Sequence, residues 1–459
     1  MKARRIARIA VLLGVCLSLC AIARAGGVQI VDKPGLGIFP TIQAAIDAAS
    51  DGDVLVVAKG SYPGFTVDGK GLWVLALPTH PTGTTSVSGT VTVRNLPASS
   101  TLVLAGLKIT GASSSFQANP GVRLENGAGS IVLRECVIKG GALMTGFSSP
   151  PASPGVSLSG CPRVFFVGCS IYGADGCWCS GYPGQAGGTG LESLDSAIAL
   201  YDCIVKGGQG GEEGSPAGGD GGAGCRVTNW GIFLSGTSIA GGTGGGGDYI
   251  GCNTSGSGGD ALVVTGAQAL ILDSTLTAGP AGNFGCWYGS PGQALVATGS
   301  SVVNLPGTRK KLTAPWLAGD ASALPLSLTA QAGDAFYFLF ARGPTFMPQP
   351  SVNGVWAVPP PVGAAAPLLG IVPAGGSLQV PLQIRDLGGS PVATRYFGQG
   401  HCEDGSGTQW LTSPLHLVVL DRNGLPDCNG NGQLDLVDIL EGLAPDTNNN
   451  LIPDPCPGG

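Results

Sequence analysis

The densest set of side chains able to do chemistry lies near the C-terminus. Asp427, Asn429, Asn431, Asp435 and Asp438 stand at positions 1, 3, 5, 9 and 12 of a loop, with Gly432 at position 6 and the carbonyl of Gln433 available at position 7. Oxygens at that spacing surround a hard cation while the glycine makes the sharp turn, so the expected cofactor is calcium. Asp446, Asn448, Asn450 and Asp454 outline a second, shorter loop that starts 19 residues later, lacks the glycine and has Pro457 at position 12. Cys428 and Cys456 could staple the two loops.

Elsewhere the chemistry is sparse. A polysaccharide lyase needs a base with cations on the uronate, and a glycoside hydrolase needs paired carboxylates. Asp202 and Asp273 are the catalytic candidates, read as lying on neighbouring repeats but not in matching positions. Glu192 with Asp195, and Arg123, Glu125, Arg134 and Glu135, are the other charged groupings, and none recurs as a column. The three histidines are His80, His401 and His416. The expectation is a non-catalytic structural or binding protein, the alternative an extracellular polysaccharide lyase or glycoside hydrolase. Cys177-Trp178-Cys179, Cys252 and Cys286 lie in long turns and are expected to form disulfides rather than a metal site, since Cys-x-Cys is one short of the usual spacing. The same turns carry Trp178, Tyr182, Tyr249, Phe284, Trp287 and Tyr288. These rings are expected to form a small core under the loops, the alternative being a surface that stacks on sugars.

The elements that must position these residues follow from composition and period. Charged residues are 11%, hydrophobic residues 43%, and glycine is 80 of 459. Disordered chains are rich in charge and poor in apolar residues, so this composition suits short strands joined by glycine-rich turns. Net charge is -6 without a basic stripe, which excludes nucleic acid as a partner. Lys2, Arg4, Arg5 and Arg8, the apolar residues 9–22 and Ala23-Arg24-Ala25 read as a cleaved export leader, leaving no membrane span and a secreted chain in which disulfides can persist. The pairs Ile131/Leu133, Val164/Phe166, Ile198/Leu200, Ile232/Leu234, Leu270/Leu272 and Val303/Leu305 recur after 33, 34, 34, 38 and 33 residues. Each pair sits on one face of a strand. Cys136, Cys169, Cys203, Thr237 and Thr275 follow three positions on, and Ile138, Ile171, Val205, Ile239 and Thr277 two further. Stacking such copies buries continuous apolar columns, which makes the chain a solenoid of short strands with the three cysteines in an interior ladder and Cys225 a further candidate for one.

At the N-terminal end, residues 41–49 (TIQAAIDAA) are amphipathic, with Thr41 able to cap them and Gly52 to end them, and Gly52-Asp53-Val54-Leu55-Val56-Val57 and Gly60-Ser61-Tyr62 follow. With the repeat, this resembles the pectin-lyase-like right-handed parallel β-helix proteins over roughly residues 28–307. The resemblance implies an all-β, right-handed parallel β-helix with an N-terminal cap helix. It does not imply one activity, because that fold hosts lyases, hydrolases, epimerases and non-enzymatic proteins. Residues 308–420 alternate between apolar strands and Pro/Gly turns and read as a small β-sandwich. The tail, 421–459, resembles a dockerin calcium loop, with loop spacing nearer to thrombospondin type 3 repeats. The expected organisation is a leader 1–25, a β-helix 26–307, a sandwich 308–420 and a calcium-loop tail 421–459. The expected partners are a polysaccharide or cell-surface component and a protein partner of the tail.

Overall fold

The computed structural model describes residues 27–31, 39–76, 84–113, 119–142, 152–177, 184–212, 217–247, 254–283, 287–320, 322–349, 351–360, 366–386 and 393–420, and parts of the tail within 428–456. The leader and His80 lie outside the described residues.

Short β-branched and apolar runs stack coil on coil, each strand pairing in parallel with its counterpart one coil away. Each coil runs through three columns. The first holds Val54–Val57, Trp73–Ala76, Thr101–Ala105, Ser130–Arg134 and Val164–Val167. The second, Gly60–Pro63 through Thr275–Thr277, forms an 8-stranded sheet. The third contains Val91–Arg94, Val122–Glu125 and Val156–Ser159. Leu191–Tyr201 and Cys225–Ser235 run unbroken through the corner between the third and first columns, merging those two into a 16-stranded sheet. The result is a right-handed parallel β-helix, the hand that crossovers between parallel strands take in nearly all folds. Its first coil is covered by the helix Ile42–Ala48. Thr41 Oγ1 accepts from Ala44 N at 3.1 Å, and Ile42, Ala45 and Ile46 join the solenoid core.

Cys136, Cys169 and Cys203 form an interior ladder of free, buried thiols, and Cys225 lies on another interior column. The register departs from the sequence pattern at one place. Ile232 pairs with Ala269 and Leu234 with Ile271, so Leu270, Leu272, Val303 and Leu305 face outward, not inward. Ile239 likewise pairs with Leu276, placing Thr275 and Thr277 outside. A slip of one residue exchanges the two faces of a strand. Alternation could not detect it here because both faces of the first column are apolar.

The outer face is apolar because the sandwich packs on it. A three-stranded sheet (Lys311–Thr313, Ala323–Thr329, Ser377–Gln383) faces a five-stranded one built around Ala335–Ala341, Ala393–Glu403 and Gln409–Leu420. Leu324, Leu326, Phe336, Phe338 and Leu415 fill the space between them. The sandwich then folds back along the solenoid. Val56, Trp73, Val103, Val132, Phe165 and Phe233 are buried against residues including Trp316, Val355, Trp356, Phe397 and Val418. Arg134 pins the contact, donating from Nη2 to Ala314 O at 2.8 Å and from Nη1 to His416 O at 3.1 Å, with Trp316 stacked at 5.4 Å.

The long turns are not loops of the ordinary kind. Their legs run out and back with glycine at every third residue, as in Gly208/Gly211 and Gly219/Gly222, and belong to none of the three columns of strands. Their backbone hydrogen bonds go to neighbouring legs. One file reads Gly208 N to Gly188 O, Gly222 N to Gly208 O, Gly242 N to Gly222 O and Gly259 N to Gly242 O, all at 2.8–2.9 Å. A second runs three residues further out through Gly211, Gly219, Gly245 and Gly256. Same-layer legs join through Gly210 N to Thr243 O and Gly221 N to Ser257 O. Glycine is required by contact: a Cβ on Gly242 would lie 1.9 Å from Gly208 O. Residues 178–183, 213–216, 248–253 and 284–286 lie outside the described residues.

Candidate functional site

The corrected register brings Asp202 and Asp273 into one column. Both occupy the corner that follows a first-column strand, two coils apart with Gly236 between them, and both have a left-handed backbone (φ 53 and 45), as does Glu135 (φ 51) at the same corner. The reading of unmatched positions is therefore overturned, and its cause is the same one-residue slip. The two carboxylates flank Arg309, from the segment leading into the sandwich. Arg309 Nη1 lies 2.7 Å from Asp202 Oδ1 and donates to Gly236 O at 2.8 Å, and its backbone N–H donates to Asp273 Oδ2 at 3.1 Å. Burial raises the Asp202 carboxyl above its usual range, against the pull of Lys311 and Arg309. An acid–base pair would need one carboxyl free to meet substrate; here both are engaged in holding the junction.

Other acids are similarly occupied. Asp68 accepts from Arg94 Nε and Asn95 Nδ2, both at 2.9 Å. Asp220 and Asp260 accept the backbone N–H of Ser257 and Gln293, each at 2.7 Å, and so tie successive glycine legs together. The third-column strands present the remaining polar face, with Arg123 3.8 Å from Glu125, and Glu192 in register with Arg226. His416 is buried beside Trp73 and Phe397, and His401 stacks near Trp356. Burial, followed by the charge of Arg134, holds the His416 imidazole well below its usual pKa.

In the tail, Asn429, Asp435, Asp438, Asp446 and Asp454 are described, whereas Asp427, Asn431, Gln433, Asn448 and Asn450 lie outside the described residues. Cys428 and Cys456 form a disulfide across 28 residues, as the sequence allowed. Asp435 accepts the Cys428 N–H at 3.0 Å, Asn429 Nδ2 donates to Asp438 at 2.7 Å, and Asp454 accepts from Thr447 N at 2.9 Å. Asp435, Asp438 and Asp446 are all buried. Among the described residues, the ligating atoms that converge within 4.8 Å are those of Cys428, Asp435 and Cys456, and Asp438 and Asp446 are not part of that cluster. The sulfurs near Asp435 are bonded to each other and offer no thiolate.

Of the turn residues, Cys177 is disulfide-bonded, and Cys179, Cys252 and Cys286 lie outside the described residues. The expected aromatic core is not what the described rings form: Trp287 is 70% and Tyr288 68% exposed. The glycine legs pack backbone to backbone and leave no space between them for a ring. Trp178, Tyr182, Tyr249 and Phe284 lie outside the described residues.

No helix of the described residues is long and apolar enough to cross a membrane. No family model and no curated protein matches the chain. Among solved structures, the pectin methylesterase from Aspergillus niger is similar at 12% identity, over 61% of this chain and 86% of that one, with a TM-score of 0.25. A similarity of that size carries no argument, and the β-helix rests on the chain's own strand registers.

Proposed function

We propose that this chain is an exported, non-catalytic structural or binding protein of the cell surface or extracellular matrix, with carbohydrate as its partner class and a calcium-stabilised tail that also serves for docking. The observation that carries this reading is the closed outer face of the first column, buried along successive coils beneath the sandwich. An extended polymer cannot lie there, and the acids flanking that face hold Arg309. The rival reading, a polysaccharide lyase or glycoside hydrolase, must place its chemistry on the third-column face around Arg123, Glu125, Glu192 and Arg226. Incubating the full chain with uronate and neutral polysaccharides tests the choice. The expected result is neither unsaturated-uronate absorbance nor new reducing ends; either product overturns the non-catalytic reading.

Calcium would be held by Asp435 and Asp438, with Asp427, Asn429, Asn431 and the Gln433 carbonyl completing the first loop. Titrating the full chain with calcium should give binding heat that is lost in Asp438→Ala. Equal heat in both proteins would remove the site.

A further inference from the structure

The corner that follows each third-column strand repeats, and one copy breaks the pattern. In other coils a single residue there takes a left-handed backbone: Asn95, Asn126, Gly160, Asp195, Gly266 and Gly299, with φ between 49 and 63. Within Cys225–Ser235 two consecutive residues do so, Asn229 (φ 60) and Trp230 (φ 61). Asn229 is the regular member, its Nδ2 donating to Asp195 Oδ1 at 2.7 Å. Trp230 is the extra one. A left-handed backbone is costly for any residue with a Cβ and rare for a bulky one. Burial does not compensate, because Trp230 is 58% exposed. Strain retained at an exposed aromatic residue points to a ligand rather than to packing.

Trp230 lines a cleft of about 290 Å³ between the β-helix and the sandwich. Ala197, Gly231 and Gln268 lie in register on three successive coils and form its floor. The opposite wall is Phe346 and Pro348 of the sandwich, with Phe346 braced on Phe165 at 5.1 Å between ring centroids. Among the described residues, no charged side chain lines the cleft. A uronate or a phosphate would therefore meet no counter-charge. What the cleft offers is a flat aromatic face, apolar walls, the Gln268 amide and an indole N–H, a mixture typical of sites that bury a small ring and orient it by a few polar contacts.

We propose that the cleft between Trp230 and Phe346 binds a neutral pyranose unit of a glycan. The sugar's C–H face stacks on the indole, and its hydroxyls bond to the Gln268 amide. This site rests on the reading of the chain as a binding protein and names the class it binds. The test titrates the full chain with gluco-, manno- and xylo-oligosaccharides, followed by calorimetry and tryptophan fluorescence. Saturable binding with a fluorescence change is expected. Trp230→Gly removes the backbone strain, so it should keep or raise the melting temperature while weakening binding by about tenfold or more. Absence of binding to every oligosaccharide, unchanged affinity in Trp230→Gly, or binding of proline-rich peptides alone would each overturn the site. Product formation in the polysaccharide screen would instead overturn the non-catalytic reading and leave the Trp230 comparison standing.

Discussion

At the residue scale, the charged and titratable groups that could have suggested catalysis are mostly parts of joints. Asp202 and Asp273 bracket Arg309, and Arg134 reaches across to the sandwich. Arg309 is 44% exposed in its ion pair with Asp202, so a double-mutant cycle of Asp202→Ala and Arg309→Ala should give a coupling of about 1 kcal/mol or less, read by chemical denaturation. His416 gives a pH dependence with a definite sign. Its folded-state pKa is depressed by burial, so between that value and the unfolded value of about 6.5 the unfolded chain binds the extra proton. The stability it contributes is complete above that unfolded value and is lost as pH falls towards the folded one, at up to about 1.4 kcal/mol per pH unit. His401 is shifted the same way by burial. Melting temperatures of wild type and His416→Phe across this range should diverge below about pH 6.5, the variant falling less steeply. Parallel curves would show that His416 does not contribute.

At the element scale, the cap helix and the cysteine ladder were legible because each depends on local pattern: Thr41 before an amphipathic run, and Cys136, Cys169 and Cys203 at a fixed distance after an apolar pair. The glycine legs were legible only as glycine-rich turns. Their bonding partners are backbone groups one coil away, and a residue without a side chain leaves no pattern by which to find them. Gly242→Ala should cost about 3 kcal/mol or more, at or above the upper end of over-packing, because its Cβ would strike the carbonyl of Gly208. Gly343→Ala, whose Cβ meets nothing within 4 Å, should change stability by less than about 0.5 kcal/mol. Denaturation midpoints for the two variants check both statements. Similar midpoints would mean that the legs are not close-packed.

At the scale of the whole molecule, the sandwich works as a lid over one side of the β-helix. A chain ending at residue 307 should expose Trp73, Val103, Phe165 and Phe233 together, bind a hydrophobic dye and self-associate, as large apolar patches do. A monodisperse, dye-negative truncation would mean that the two units do not depend on each other. The sequence by itself determined that the chain is a solenoid with a sandwich-like unit after it and a tail with calcium-loop spacing, because strand period, helix capping and ligand spacing are written in neighbouring residues. Which face of each strand meets the core after Leu234, that Asp202 and Asp273 share a corner, and that Trp230 stands over a cleft were decided only in three dimensions. The physical reason is common to all three. The docked sandwich makes the outer face of the first column as apolar as the inner one, which erases the alternation that fixes register, and the cleft exists only where that sandwich meets the corner of the β-helix.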